Sequence, residues 1–223
     1  RLQDRKETAT QYQARVDPED SPALVRAMQQ YQFRQENMLR VQNMVDGARR
    51  TGFPAEPIAN KVFEGIAKRV HQDNIVQAAE RVRGRYEHAF RLAADMADNR
   101  QEAAELGEII AGAHTAGFNE EDCARIMTRL QTRTRAMSRQ EAHALRVQTM
   151  AAVRTMARRG VSSETAADVV GKGLQRSYRA QEMRALQERF RMRARYGAPE
   201  DVAREFSVDI NRGREPSQLG GGT

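Results

Sequence analysis

Four glycines divide most of the chain into segments in which apolar residues recur at intervals of three and four. They are Gly52, Gly117, Gly160 and Gly197. Such intervals place apolar side chains on one face of an α-helix, and a glycine just past such a segment is typical of a helix C-terminus. The sequence therefore predicts an all-α fold in which short turns join the helices into hairpins.

The residues that follow three of these glycines resemble one another. Counted from Gly52, Gly117 and Gly160, the first position is apolar, the fourth is glutamate, the seventh is alanine and the tenth is apolar. These positions hold Phe53, Phe118 and Val161; Glu56, Glu121 and Glu164; Ala59, Ala124 and Ala167; and Val62, Met127 and Val170. The glycines are unevenly spaced, so an irregular stack of antiparallel α-hairpins, as in a helical bundle or a short α-solenoid, fits better than an array of fixed period.

The thirteenth position distinguishes the copies, because it is Gly65 in the first and Gly173 in the third but Leu130 in the second. Glycine inside a helix costs about 1 kcal/mol relative to alanine. We therefore expect Gly65 and Gly173 to lie where a neighbouring group approaches too closely for a side chain. The second copy is expected to have diverged.

Patterning also predicts the limits of domains and helices. Residues 1–16 are polar without an apolar stripe and are predicted to form an arm, residues 17–210 a single elongated helical-repeat domain, and residues 211–223 a flexible, glycine-rich tail. One long helix is expected over 23–51 and another over 73–98. The near-heptad spacing of the second favours antiparallel packing against the first.

Two helices have recognisable cap signals at their starts. Asn119 can accept a hydrogen bond from the first turn of the helix that follows it. Ser138 precedes Glu141 by three residues, the spacing of a capping box. Helices are therefore expected to begin just after Asn119 and just after Ser138.

Composition limits the classes of protein to which the chain can belong. Hydrophobic residues make up 39% of the sequence and aromatic residues 5%, without tryptophan, so the core must consist of residues that favour helices. Acidic and basic residues are interspersed, which argues against global disorder. The single cysteine, Cys123, excludes an internal disulfide and is expected to be a small buried hydrophobe. No stretch approaches the ~20 apolar residues of a membrane span.

Positive charge is concentrated in one predicted helix. The formal net charge is +7, with 33 arginines against four lysines. Residues 179–195 carry six arginines against two glutamates: Arg179, Arg184, Arg189, Arg191, Arg193 and Arg195. Met183, Leu186 and Phe190 form an apolar stripe along the same helix, so we expect one side to pack while the arginines face outwards. This face is either solvated or binds an anionic surface, such as an acidic protein or lipid headgroups.

No constellation of residues predicts catalysis. The four histidines lack the three- or four-residue spacing that brings metal ligands onto one helix face. The sequence contains no phosphate-binding glycine loop, nucleophile elbow, calcium loop or dinucleotide fingerprint. We therefore expect no catalytic residues, no metal site and no cofactor, and predict that the protein is not an enzyme.

The turn at Gly160 offers a rival interpretation, because residues 157–166 resemble the helix-turn-helix of bacterial repressors. The second helix would then enter the major groove with Ser163, Thr165 and Asp168 near base edges. The position four before the glycine, where a small residue is typical, holds a methionine. The same turn also recurs at the first two glycines without the character of a recognition helix. Nucleic-acid binding through this turn and the basic helix 179–195 remains the alternative function.

Glu64-Gly65-Ile66-Ala67-Lys68, with Ile75 and Arg81 beyond it, resembles a pattern of uncharacterised, exported α-helical repeat proteins of Gram-negative bacteria. The resemblance covers residues 45–190, and Lys172-Gly173-Leu174 matches part of the pattern. It implies a helical repeat fold and a cell-envelope location, and it implies no activity.

The sequence begins at Arg1 without an initiator methionine, which a cleaved secretion signal would explain. We therefore expect a periplasmic or otherwise exported location, with a cytoplasmic one as the alternative. The repeat, together with the lack of catalytic motifs, predicts a non-catalytic structural or scaffolding protein. Such a protein would bind a protein partner or itself, and nucleic acid is the less favoured partner.

Overall fold

The computed structural model describes residues 21–221, and these residues form ten α-helices and no strand. The all-α prediction is confirmed, and the arm predicted over residues 1–16 lies outside the described residues. The helices are α1 (Ser21–Gln30), α2 (Gln35–Thr51), α3 (Glu56–Ala67), α4 (Gln72–Ala94), α5 (Arg100–Thr115), α6 (Glu120–Thr134), α7 (Arg139–Arg158), α8 (Ser163–Gln175), α9 (Ala180–Arg193) and α10 (Pro199–Asn211), followed by a 3-10 turn (Pro216–Gln218).

The contacts of the chain group into two compact units that divide between His88 and Ala89, inside α4. The first unit contains α1, α2, α3 and most of α4, and the second contains the helices from α5 onwards. This grouping differs from the single domain that we expected over residues 17–210.

In the second unit, each helix packs beside the helix two positions further along the chain. Helix α7 lies between α5 and α9, and α8 lies between α6 and α10. His143 meets Glu105 in the first halves of α7 and α5, whereas Arg154 lies against Gly112 towards the ends of the same helices, so the two run parallel. Successive helices are joined by short turns and form antiparallel hairpins, which gives two rows of parallel helices. The core lies between the rows.

The first unit follows the same rule. Helix α1 contacts α3, and α2 lies beside α4, where Arg34 pairs with Asp73 and Arg40 with Glu80. These pairs advance together along both helices, so α2 and α4 run parallel. The antiparallel packing that we predicted for this part of the chain is wrong, because two reversals, one on each side of α3, restore the original direction.

Seven helices of the described part end in the same left-handed turn. The residue with positive φ is Gln32, Gly52, Arg69, Gly117, Gly160, Ser177 or Gly213. In each turn, the N–H of the following residue donates to the carbonyl five positions earlier, as Phe53 N does to Ala48 O at 3.2 Å. This is the Schellman arrangement, which satisfies carbonyls at the end of a helix. In five of the seven turns the following residue is a buried apolar or aromatic one: Phe33, Phe53, Phe118, Val161 and Tyr178.

Two expectations about turns differ from the structure. The single helix predicted over 23–51 is divided into α1 and α2, because Gln32 adopts a φ of 59° and Phe33 turns into the core. Gly197 lies in the connection between α9 and α10, but its φ is not positive, since α9 ends there through ordinary turn bonds such as Tyr196 N to Arg193 O at 3.0 Å.

The uneven spacing of the glycines has a simple cause in the order of helices. Three helices, α3, α4 and α5, lie between Gly52 and Gly117, whereas two, α6 and α7, lie between Gly117 and Gly160. The interval from Gly52 to Gly117 therefore contains one helix more than the next interval, and the chain divides into its two compact units within one of these helices, α4.

Hydrogen bonds to side chains also connect the N-terminal ends of parallel neighbouring helices. The backbone N–H of the N-cap residue donates to a side chain in the first turn of the helix two positions on. The three bonds are Arg34 N to Gln72 Oε1 at 2.7 Å, Asn119 N to Ser163 Oγ at 3.0 Å, and Ser162 N to Glu200 Oε2 at 2.8 Å. Helix starts carry unsatisfied N–H groups, so each bond stabilises one helix through its neighbour.

The predicted caps within helices are confirmed. Asn119 Oδ1 accepts from Asp122 N at 2.7 Å, and Ser138 forms a complete capping box with Glu141.

The segment after α10 differs from the mobile tail predicted over 211–223. Leu219 is fully buried, its carbonyl accepts from Arg189 Nε at 2.9 Å, and Gly220 N donates to Asp209 Oδ2 at 2.9 Å. The segment packs because Leu219 is buried against the last helices, and because buried Asp209 accepts a hydrogen bond from the backbone N–H of Gly220. Residues 222 and 223 lie outside the described residues.

Candidate functional site

The apolar side of the basic helix is built as its pattern predicts. Met183, Leu186 and Phe190 are all fully buried in the second unit. The ring of Phe190 meets that of Phe206 of α10 edge-on, with centroids 6.3 Å apart. This packing fixes the orientation of α9 and determines which of its arginines face solvent.

Three of the six predicted arginines have partners within the fold. Arg184 Nε lies 3.1 Å from Glu188 Oε1, and Arg193 Nη2 lies 3.6 Å from Glu205 Oε2. Arg189 donates to the carbonyl of Leu219 and so holds the C-terminal segment. Arg189 thus joins α9 to the C-terminal segment and Arg193 pairs with α10, whereas the Arg184–Glu188 pair lies within α9 at the surface.

The other three, Arg179, Arg191 and Arg195, are exposed. Arg179 precedes the first turn of α9, where its N–H donates to Glu182 Oε2 at 2.9 Å, and Arg195 follows the last turn. Arg191 lies within the helix, and its charge acts on Arg154 of α7. Binding of an anionic surface by these six arginines stays a prediction.

A different arginine cluster, which the sequence analysis missed, lies on the row formed by α5, α7 and α9. It comprises Arg154 and Arg158 of α7 with Arg191 of α9. Arg154 is half-buried, and its pKa is lowered from the ordinary arginine value by burial first, then by the charges of Arg158 and Arg191. Glu108 of α5 is the acidic group that opposes this shift.

Gly112 of α5 provides the space in which this cluster lies. A β-carbon at Gly112 would stand 2.9 Å from Cδ of Arg154 and 3.6 Å from Nη2 of Arg158. A side chain at this position would push the Arg154 stem away from α5. The i, i+4 spacing of Arg154 and Arg158 was visible in the sequence. The effect of Arg191 on this pair depends on the packing of α7 against α9, which the sequence pattern does not show.

Large apolar side chains are exposed at four positions in the described part of the chain: Leu39, Met192, Tyr196 and Val208. Two of them, Met192 and Tyr196, are four residues apart at the end of α9, and they are 51% and 91% exposed. Arg191 and Arg195 immediately precede them in sequence. This end of α9 thus combines apolar, aromatic and cationic groups in contact with solvent.

The side chains proposed to read DNA are engaged with neighbouring helices. Ser163 Oγ donates to Asp122 Oδ2 of α6 at 2.5 Å, and Thr165 Oγ1 donates to Glu200 Oε1 of α10 at 2.7 Å. Asp168 accepts from Lys172 Nζ at 2.8 Å and from Ser207 of α10. Helix α8 has a neighbour on each side, whereas a recognition helix must present a free face to the major groove.

Potential reactive groups are few in the described residues. Cys123 is fully buried, as predicted, and burial raises the pKa of its thiol to about 12. His143 lies 2.9 Å from Glu105 and 3.7 Å from Glu102, but residues 21–221 contain no group of three side chains that could hold a metal ion. Because the pKa of the Cys123 thiol is so high, almost none of it is the nucleophilic thiolate at neutral pH.

No protein-family model, curated protein or solved structure matches the chain. None of the helices in the described part is both long and apolar enough to cross a lipid bilayer.

Proposed function

We propose that this protein is a non-catalytic scaffold of the bacterial cell envelope that binds a protein partner through the end of α9. The observation that carries the proposal is the exposure of Met192, near the end of α9, and of Tyr196, three residues past that end, each directly after an arginine in the sequence. We call Met192, Arg195 and Tyr196 the α9 patch. The envelope location rests on the sequence resemblance at residues 64–68.

The chemistry of the α9 patch suits a protein interface. Tyrosine, methionine and arginine are enriched in interface cores, and tyrosine and arginine dominate among residues whose truncation weakens binding. Tyr196 can bury an aromatic ring and still offer its hydroxyl for a hydrogen bond. The arginines beside it favour an acidic partner, whose approach they would accelerate at low ionic strength.

The hairpin stack of the second unit supports a scaffolding role. Polar side chains of α6, α8 and α10 bond to one another between helices, as Glu200 does with Ser162 and Thr165. Such bonds fix the relative positions of the helices, and they satisfy the hydrogen-bonding capacity of these side chains within the fold. A rigid support with an exposed patch at one end is what a docking scaffold needs, because little ordering is required on binding.

Nucleic-acid binding is the alternative function. The hydrogen bonds of Ser163, Thr165 and Asp168 to neighbouring helices argue against it. The basic helix alone could still attract a polyanion, and that attraction would weaken steeply with salt. Absence of a mobility shift with duplex DNA at low salt would eliminate the rival. A shift that survives at 200 mM salt and depends on Ser163 and Thr165 would favour it over the scaffold.

The proposal is tested by comparing two double variants in native cells. Met192→Ser with Tyr196→Ser removes the apolar part of the α9 patch, and Leu39→Ser with Val208→Ser removes the other two exposed large apolar side chains of the described part. After mild cross-linking and purification, the wild-type and the control variant should recover the same partner or oligomer. The patch variant should lose it.

Two results would contradict the proposal. One is recovery of the wild-type protein as an isolated monomer without any partner. The other is equal recovery of a partner by the patch variant and the control, with both variants retaining wild-type helicity by circular dichroism.

A further inference from the structure

A cavity of about 170 Å³ lies between α6 and α8 in the second unit. Buried Ile126 and Ala167 give it an apolar lining, and exposed charged side chains surround these two residues. The full lining consists of Arg125, Ile126 and Arg129 of α6 and Glu164, Ala167 and Asp168 of α8. Pockets for drug-sized molecules measure about 300–1,000 Å³, so this cavity suits only a small ligand.

The equivalent positions of the next pair of parallel helices, α8 and α10, are joined by hydrogen bonds of the chain itself. Glu200, the second residue of α10, accepts from Ser162 N at 2.8 Å and from Thr165 Oγ1 at 2.7 Å. Lys172, the tenth residue of α8, donates to Oγ of Ser207, the ninth residue of α10, at 2.6 Å. Both charged side chains therefore have partners inside the fold.

Between α6 and α8 the corresponding charged side chains lack such bonds. Arg129 is the tenth residue of α6, as Lys172 is of α8, and Glu164 is the second residue of α8. Within residues 21–221, neither the guanidinium of Arg129 nor the carboxylate of Glu164 has a hydrogen bond or an ion pair. The two groups line one cavity, but they are too far apart to pair with each other.

Two features of the sequence leave these groups unpaired and the cavity open. One is Ser163, whose Oγ accepts from Asn119 N at 3.0 Å and so takes the place of Glu164 at the start of α6. The other is Gly171, because a β-carbon there would stand 3.4 Å from Cζ of Arg129 and closer still to its Nη1. A side chain at this position would displace the guanidinium from its place against α8.

The other charged groups of the lining are already engaged. Arg125 pairs with Asp122 of the same helix. Asp168 accepts from Lys172 Nζ at 2.8 Å and from the hydroxyl of Ser207. Of the charged groups that line the cavity, the guanidinium of Arg129 and the carboxylate of Glu164 are thus the ones available to a ligand.

We propose that the cavity binds a small zwitterion, a free α-amino acid with a short apolar side chain. Arg129 holds the carboxylate of the ligand, because the paired N–H groups of a guanidinium match two carboxylate oxygens. Glu164 accepts from the ammonium group, and Ile126 and Ala167 contact the apolar side chain. The two charges are carried by packed helices, so little ordering is required on binding.

The experiment titrates the full chain with three probes of similar shape and follows binding by NMR. L-Valine carries both charges, isobutylamine lacks the carboxylate, and isovalerate lacks the amino group. The variants are Arg129→Gln, Glu164→Gln and Gly171→Ser, the last of which keeps every charge. The matched controls are Arg184→Gln and Glu188→Gln, which remove the same charges from an exposed pair on α9.

We expect the wild-type and both controls to bind L-valine, and to bind each single-charge probe at least tenfold more weakly. Arg129→Gln should weaken binding of L-valine at least tenfold and leave that of isobutylamine unchanged, because the amine does not use Arg129. Glu164→Gln should weaken binding of L-valine and leave that of isovalerate unchanged. Gly171→Ser should weaken binding of L-valine without any change in net charge.

Three results would contradict the site. They are no binding of L-valine by the wild-type, equal binding of L-valine and the single-charge probes, and an equal loss of affinity in the controls and the cavity variants. Circular dichroism checks that the variants keep wild-type helicity. The cavity lies outside the α9 patch, so this result is independent of whether the scaffold has a protein partner.

Discussion

Gly65 and Ile75 are in such close contact that a β-carbon on the glycine would stand 2.6 Å from Cγ1 of Ile75. The same relation recurs in the second unit, where a β-carbon on Gly173 would stand 2.9 Å from Cε of Met183. In both places the second residue lies ten positions after the glycine, in the helix beyond a left-handed turn at Arg69 or Ser177. The first and third copies of the hairpin therefore share their packing as well as their sequence.

Replacement of these glycines by alanine should destabilise the protein. Gly65→Ala is expected to cost about 1–3 kcal/mol, because the Cγ1 of Ile75 cannot move without shifting its whole side chain. Gly173→Ala should cost less, since the end of Met183 is flexible. Gly84→Ala is the control: nothing lies within 4 Å of a β-carbon there, so helix propensity should stabilise it by up to about 1 kcal/mol. Thermal unfolding by circular dichroism measures all three, and a stabilised Gly65→Ala would refute the close packing.

The left-handed turns predict that two substitutions change the free energy of unfolding in opposite directions. Gly160 has a φ of 84° and no atom near a β-carbon, so Gly160→Ala should cost about 1 kcal/mol through backbone strain alone. Ser177 has a φ of 64° with a side chain, so Ser177→Gly should gain up to about 1 kcal/mol. Unfolding midpoints in urea that shift in the same direction for both variants would contradict the turn geometry.

The difference between these turns also explains what the sequence could and could not predict. Gly52, Gly117 and Gly160 are local signals, because glycine is the residue that adopts positive φ without strain. Gln32, Arg69 and Ser177 make the same turn without glycine. At Gln32, burial of the next residue, Phe33, accompanies the strained conformation. Such burial depends on distant helices, so the division between α1 and α2 could not be seen in the local pattern.

The candidate sites show the same limit. The arginine content of α9 was visible in the sequence, but the roles of its members depend on what packs beside each one. Arg189 binds the carbonyl of Leu219, thirty residues away, and the charge of Arg191 lowers the pKa of Arg154 on α7. Interactions over such separations follow from the order and direction of helices, and these were predicted only in outline.

Glu200 of α10 accepts hydrogen bonds at the start of α8, and this arrangement predicts that the stability of the fold depends on pH. The pKa of Glu200 is lowered, first by the N–H of Ser162 and then by the hydroxyl of Thr165. A carboxylate whose pKa is lower in the folded state stabilises the fold above its unfolded pKa of about 4.3, and this contribution is lost as the pH falls through the lowered value. Glu200→Gln should therefore lower the melting temperature at pH 7.

The difference between Glu200→Gln and wild-type should shrink as the pH falls from about 5 through the lowered pKa of Glu200, because the carboxylate then becomes protonated and uncharged, as Gln is. Glu188→Gln on α9 serves as the comparison, since that carboxylate is exposed and pairs with Arg184 at the surface. Melting curves recorded from pH 7 downwards check this. A Glu200→Gln effect that is independent of pH would rule out the charged bond.

The C-terminal segment should depend on Asp209, which is buried and bonded to Gly220 N and to Arg214. Asp209→Ala leaves these donors without their acceptor and is expected to cost about 2 kcal/mol. Asp201→Ala, at an exposed position of the same helix, should change stability by less than about 0.5 kcal/mol. Trypsin should cleave after Arg214 faster in Asp209→Ala than in Asp201→Ala. Equal cleavage would mean that the segment is not held by Asp209.

The most direct test of the scaffold function is a photoreactive amino acid placed at position 196 in the native cell. Gln131, exposed on α6, is the reference position. The α9 patch predicts a discrete adduct of defined mass from position 196 that is absent from position 131 and disappears with Met192→Ser. Illumination that gives no adduct at position 196, or the same adducts at both positions, would contradict a partner at the end of α9.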